Sequence, residues 1–234
     1  WGDYAPPTVR SRKDKIMLFK LASLILSVNS FNTFTDTDKN ALDSYADYSY
    51  IGVVTRQTPV KFKKICTLAE KNNLTIRITI NTYGGNAFAG YSLCRLSDQF
   101  KTYNIAGGMI GAHSAGAIWW MGGEVREFED KFSTVSFHRA YASIGDVTTY
   151  KSPLVLVAHI FGDNLINKHM NGYLSKILIQ YLNEGMDYGP KAVVIFQNTP
   201  VGVLVVYNNG EDDPKLLVKP THLSMKEWKD YCPQ

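Results

Sequence analysis

Three apolar strand-like runs in this chain each end in a turn that carries glycine, serine or histidine, and this repetition constrains the fold more than any other feature of the sequence. Leu74 to Asn81 is rich in β-branched residues and runs into Tyr83-Gly84-Gly85. Tyr103 to Gly111 is short and rich in small residues, and it leads into His113-Ser114-Ala115-Gly116. Phe132 to Phe137 ends at His138. Between the runs the apolar period changes from two to about 3.6, the helical value. Phe62, Ile65, Cys66 and Ala69 mark one helix, with Pro59 in its first turn, and Ala87 to Phe100 marks a second. Strands alternating with helices predict an α/β domain with a parallel sheet and crossover connections. In such sheets ligands and chemistry sit at the carboxyl ends of the strands. Gly84-Gly85, Ser114 and His138 all fall on that predicted rim.

Each of these residues has a plain structural reading beside the chemical one. A serine at the start of a helix is a common N-cap. It is also a nucleophile if a base takes its proton, and a helix start offers free N–H groups to a developing oxyanion. A strand-end histidine on the next parallel unit has the placement general-base catalysis needs. His113 is a rival base, but directly before Ser114 its side chain is expected to point to the opposite side. Gly84-Gly85 reads as a tight turn needing positive φ, or as a donor of an N–H to an acyl oxygen together with the N–H of Ala115.

The remainder of the chain is organised around this centre. Tyr48 to Val54 precedes the first helix as a strand, and apolar residues from Leu154 to Tyr181 predict one long helix between Pro153 and about Leu182. Lys191 to Phe196 and Val201 to Tyr207 predict two strands joined through Thr199-Pro200. The expected division is residues 1–47 as an N-terminal arm and helix, 48–189 as the core, and 190–234 as a C-terminal extension. A chain of 234 residues, 45% hydrophobic, is enough for one sizeable core.

Charge and cysteine usage narrow the function classes. The formal charge of +4 is spread along the chain, and no nucleic-acid partner is expected from it. Arg10, Arg12, Lys13 and Lys15 form one basic cluster, read as a solvated arm. The apolar stretch Ile16 to Leu26 is short of a membrane span and is interrupted by Lys20, so it is read as a packed helix, with a targeting segment as the alternative. No membrane partner is expected. The odd count of three cysteines, Cys66, Cys94 and Cys232, carries no metal-ligand spacing. It fits a reducing compartment, the cytoplasm or a plastid or mitochondrial matrix. No metal and no cofactor are expected, and no phosphate-binding loop of the Gly-x-x-x-x-Gly-Lys type is present.

Taken together, the motifs resemble those of the Clp protease proteolytic subunits, within the Clp/crotonase structural group. Ile80-Asn81-Thr82-Tyr83-Gly84-Gly85 is similar to that family's Ile-Asn-Ser-Pro-Gly-Gly before a helix, and Ala89-Gly90 to the Ala-Gly within it. His113-Ser114-Ala115-Gly116-Ala117 resembles the nucleophile turn, where serine is followed by Met-Gly-Ala. Phe137-His138-Arg139 resembles the strand whose histidine is followed by Gln-Pro. The likeness spans about residues 48 to 182, including the long helix, which corresponds to the family's ring-joining handle. It implies repeated ββα units with a handle helix, to which this chain adds a C-terminal strand pair. It further implies Ser114 as nucleophile, His138 as base, and Gly85 and Ala115 as oxyanion donors. By the same resemblance the partners are a homo- or hetero-oligomeric ring of like subunits, an AAA+ unfoldase that supplies any ATP chemistry, and unfolded protein substrates.

The family's aspartate lies in an acidic, arginine-bearing segment after the handle, and no such segment stands here. Asp187 is the candidate third member, with Asp163 and Asn198 as rivals or with an incomplete triad. Two further readings stay open: a catalytically impaired ClpR-type subunit that keeps only ring contacts, and the coenzyme-A-using crotonase branch, which shares the oxyanion logic without a Ser/His pair.

Overall fold

A computed structural model describes residues 45–144, 147–189, 191–208 and 221–232, all within one compact unit, Lys39–Gln234. The basic cluster, the apolar stretch Ile16 to Leu26 and most of the 1–47 arm lie outside the described residues. The first half of the core runs β1 (Tyr45–Ile51), α1 (Thr58–Glu70), β2 (Thr75–Asn81), α2 (Ala87–Gln99), β3 (Tyr103–Ala106), β4 (Ala112–His113), α3 (Ala115–Met121), β5 (Val125–Phe128) and β6 (Thr134–Phe137). The second half runs β7 (Ala142–Ile144), β8 (Val147–Thr149), α4 (Pro153–His169), α5 (Gly172–Tyr188), β9 (Val193–Thr199), β10 (Gly202–Asn208), β11 (Thr221–Ser224) and α6 (Met225–Tyr231).

The crossover pattern expected from the sequence is present. Strands β1, β2, β3 and β5 lie side by side in that order, and every pair is parallel. Ile76, Ile78 and Ile80 alternate into the core along β2, as a period of two requires. A second sheet has the order β11-β10-β9-β6-β4. Here β4 and β6 are parallel, with His113 opposite Ser136, while β9 runs antiparallel to β6. The segment 190–234, expected as an extension, therefore supplies three of the five strands of this sheet, and Phe196 packs on Phe137 with ring centroids 5.2 Å apart.

The two sheets meet at the end of β2. Thr82, one residue past the strand, leaves the first sheet and pairs with Ala112 of the second. Its N–H donates to the Gly111 carbonyl at 2.8 Å, and its own carbonyl accepts from His113 N–H at 3.0 Å. Helix α3 plugs the space between the sheets, and Trp119, Trp120 and Met121 are fully buried in it. Glycine allows the close approach this requires. A methyl group built on Gly116 would overlap the Thr82 side chain, and one on Gly90 of α2 would come within 2.8 Å of the Ala115 carbonyl.

Two expectations change, and one strand was not anticipated. The long helix from Pro153 to Leu182 is two helices. Met170 and Asn171 are extended, with φ −130° and −100°. The Asn171 N–H donates to the Tyr231 carbonyl at 2.7 Å instead of continuing a helix, and Gly172 takes φ +54° to restart it. Val125–Phe128 is a strand although it carries charges. Arg126 in it is 3% exposed, and its Nη1 donates to the His169 carbonyl at 2.7 Å. The predicted strand from Tyr103 to Gly111 stops at Ala106, where the Gly107 N–H turns to the Ile80 carbonyl.

Trp119 stands edge-on to Phe62 at 4.9 Å and to Tyr50 at 5.0 Å between ring centroids. Replacing it by alanine removes the aromatic centre of the α1–α3 contact. Trp119→Ala should cost about 3–5 kcal/mol in urea-unfolding free energy, and a loss below about 1 kcal/mol would show that the interior collapses around the gap.

Candidate active site

Ser114 and His138 stand one residue past the carboxyl ends of neighbouring parallel strands. The His113–Ser136 pairing in register fixes this, and the Ser114 N–H extends the ladder by donating to the Ser136 carbonyl at 2.8 Å. Ser114 then takes φ +55° and ψ −119° before α3 begins. L-residues avoid that combination, at a cost of about 1–3 kcal/mol. The side chain does not cap the helix. The capping alternative weighed from the sequence is therefore not realised.

The glycine turn is fitted to this serine. Gly84 has φ +105°, and a methyl group built on it would overlap Ser114 Cβ and come within 2.9 Å of Ser114 Oγ. Thr82 shapes the turn, with its Oγ1 accepting from Gly84 N–H at 3.0 Å. A short parallel bridge joins Val54 to Gly85: Val54 N–H donates to the Gly84 carbonyl, and Asn86 N–H donates to the Val54 carbonyl, both at 2.8 Å. In that bridge both hydrogen bonds use the residues flanking Gly85. Among the described residues the N–H groups of Gly85 and Ala115 make no backbone hydrogen bond outside the regular elements.

Ser114, His138, Gly85 and Ala115 all line one cavity of about 490 Å³. This is within the usual size range of small-molecule and peptide sites. Phe88, Ile118, Leu154 and Val155 contribute apolar lining. Tyr91 closes one side, its hydroxyl donating to the Ala158 carbonyl at 2.6 Å, and burial pushes that phenol up to about 12. No hydrogen bond joins Ser114 to His138 in this structure. Catalytic hydrogen bonds often tighten only when substrate is bound.

His138 Nδ1 donates to the Arg139 carbonyl at 2.9 Å, because a carbonyl can only accept. Burial lowers the imidazole's pKa from the ordinary histidine value, so near neutral pH the ring is uncharged and Nε2 carries the lone pair. That is the protonation state a general base needs. His113 is occupied elsewhere. Its Nε2 donates to the Ile110 carbonyl at 2.5 Å, its Nδ1 accepts from the Ser136 hydroxyl at 2.7 Å, and its ring stacks on Tyr83. It does not line the cavity.

No hydrogen bond joins Asp187 to the imidazole among the described residues. Asp187 is exposed near the end of α5, and the hydrogen bond at His138 Nδ1 goes to a backbone carbonyl instead. Asn198 is also elsewhere, its Nδ2 donating to the Asp130 carbonyl. Asp163 is held by Arg139 Nη1 at 2.5 Å. Arg139 itself escaped the sequence reading. Its guanidinium also donates to Asn183 Oδ1, from Nε at 3.1 Å and from Nη2 at 2.5 Å. The only signal was an arginine directly after a strand-end histidine. Among the described residues no group of three His, Cys, Asp or Glu is placed to hold a metal ion.

No protein-family model and no curated protein matches this chain in sequence. Among solved structures it is similar to a mutant of the 1510-N membrane-bound stomatin-specific protease, at 19% identity and TM-score 0.47, over 58% of this chain and 69% of that one. It is similar to ClpP1 from Listeria monocytogenes at 15% identity and TM-score 0.42, over 80% of this chain and 86% of that one. A mutant of the latter gives 16% and 0.48 over the same shares. The α/β fold with its parallel crossover sheet rests on this chain's own element and strand order. The chemistry of this chain is set by its own side chains, to which likenesses at this level add nothing. Among the described residues no helix is long and apolar enough to cross a membrane.

Two outcomes follow from the packing and charge of the site. Gly84→Ala should destabilise the chain by at least about 1 kcal/mol more than Gly189→Ala, since Gly189 has a similar positive φ but open space around it; equal costs in urea melts would show that Ser114 yields freely. The second concerns acid. Burial lowers the pKa of His113, His138, His159 and His169, the last to about 4. The unfolded chain takes up protons on these rings near pH ~6.5 while the folded chain resists, so their contribution is full above that pH and is lost as pH falls. The urea midpoint should drop between about pH 7 and pH 5 with proton uptake on unfolding, and a flat midpoint would contradict the burial of these rings.

Proposed function

We propose that this chain is a serine peptidase that hydrolyses peptide bonds in extended polypeptides, with Ser114 as nucleophile and His138 as general base. The observation that carries the reading is a serine at positive φ packed against a glycine turn, lining the same cavity as a neutral histidine and two N–H groups that have no backbone partner among the described residues. In this reading His138 Nε2 takes the Ser114 hydroxyl proton as Oγ attacks the substrate carbonyl carbon. The carbonyl π pair moves to oxygen, which Gly85 and Ala115 N–H would receive. The proton then passes from Nε2 to the leaving amine as the C–N bond breaks, leaving an acyl-serine. Water, deprotonated by the same nitrogen, releases the acid. Each oxyanion donor of this kind is worth about two to three orders of magnitude in rate. The apolar lining residues suit a large hydrophobic side chain beside the scissile bond.

The wider setting belongs to the same proposal and rests on the motif resemblance. The chain would work as a subunit of a Clp-type ring, homo- or hetero-oligomeric, supplied with unfolded protein by an AAA+ unfoldase. Apolar side chains on α4 are available for subunit contact: Leu156, Ile160 and Phe161 are all exposed. A second reading, a catalytically impaired ring subunit, is favoured by one observation. The Nδ1 hydrogen bond of His138 goes to a backbone carbonyl and to no carboxylate. Removing the triad aspartate of a well-studied serine protease costs about four orders of magnitude in rate.

Incubation with a fluorophosphonate probe and peptide mapping decides between the two. The peptidase reading predicts a phosphonate on Ser114, with labelling lost in Ser114→Ala and in His138→Gln. An assembled, folded sample that takes up no probe would favour the impaired subunit.

A further inference from the structure

The charged group expected behind His138 is replaced by a backbone carbonyl, and the structure shows what holds that carbonyl in place. The Arg139–Ala140 peptide plane, which carries the accepting oxygen, joins two anchored residues. On one side the Arg139 side chain, 5% exposed, reaches Asp163 on α4 and Asn183 on α5. On the other, the Ala140 carbonyl accepts from His159 Nε2 of α4 at 2.8 Å. The Ala140 carbonyl belongs to the next peptide unit, so these contacts do not lock the plane itself; they hold Arg139 and Ala140, whose ψ and φ set the direction of the Arg139 carbonyl.

We infer that Arg139 is the positioning residue of this site: clamped between α4 and α5, it aims its own carbonyl at His138 Nδ1 and so sets the tautomer that leaves Nε2 free toward Ser114. The inference rests on the peptidase reading of Ser114 and His138 and supplies its missing orienting group. In the Ser-His-Asp arrangement the aspartate holds the imidazole in the correct tautomer and also stabilises the imidazolium. A carbonyl dipole does the first and only part of the second. The clamp spans two helices, so the separation of α4 and α5 reports directly on the histidine. The rival is that Asp163 serves as the acid itself, turning to His138 when substrate binds. The two ideas make opposite demands on Arg139, which the rival treats as a competitor for the carboxylate.

The test uses the full chain with 15N-labelled histidine, the His138 signal being assigned by its absence in His138→Gln. Two-bond proton–nitrogen correlation at pH 8 should show wild-type His138 as the Nδ1–H tautomer. Asn183→Ala removes two of the guanidinium's hydrogen bonds at an exposed position and leaves every charge paired, so the chain should fold normally. His138 should then become a mixture of tautomers, and the rate constant for phosphonate labelling of Ser114 should fall about 100-fold, the order expected for a misplaced catalytic group. Arg139→Met should do the same or more. Labelling by Arg139→Met at or above the wild-type rate would overturn the proposal in favour of Asp163. A His138 signal that stays Nδ1–H in both variants would overturn it outright. A wild type that takes up no probe, but whose His138 tautomer responds to Asn183→Ala, upholds the clamp and sinks the peptidase reading alone.

Discussion

The contact of Gly84 with Ser114 is the constraint on which the rest of the site depends. It exists because β2 leaves one sheet for the other at Thr82, which carries the glycine turn across the end of β4. Only a residue without Cβ passes there, and only with a positive φ. The serine answers with a strained φ of its own. A buried tryptophan helix and glycine contacts on both its sides hold this geometry. The strain of about 1–3 kcal/mol is small beside what one buried aromatic contributes, so packing wins and the hydroxyl stays presented to the cavity.

Around Ser114 and His138 the cavity presents neutral groups and dipoles together with Arg56 and Arg139 in its lining. Burial keeps His138 uncharged, and a carbonyl orients it. Gly85 and Ala115, whose N–H groups are the proposed oxyanion donors, line the same cavity. Among the described residues the ion pair nearby is Arg139 with Asp163, and in the inferred clamp it acts on the site through the backbone. An oxyanion hole and binding alone leave about three to four orders of magnitude of catalysis even when a triad is broken. On the proposed peptidase reading, activity would persist without a carboxylate at His138, at a level below that of a complete triad.

The sequence revealed the parts governed by local chemistry. Period-two and period-3.6 patterns placed β2, α1 and α2 within a residue or two, and the Gly84-Gly85, Ser114 and His138 turns fall at strand ends as their residue types demand. Interactions between distant segments were not legible. The break at Met170–Asn171 depends on the Tyr231 carbonyl, about sixty residues on. Strand β5 is hidden by Arg126, whose burial is made possible by carbonyls from two helix ends. The third group of the site was sought as a carboxylate near residue 187 because residue type is all that a sequence displays. The atom found at His138 is a backbone oxygen, which every residue has and no pattern marks.

A crystal structure of the phosphonate adduct tests the central claim most directly. The account predicts phosphorus bonded to Ser114 Oγ, with one phosphonyl oxygen about 2.7–3.1 Å from the N–H groups of Gly85 and Ala115, and His138 Nε2 turned toward Oγ. An adduct whose oxygens point into solvent, with His138 turned away from Ser114, would contradict it.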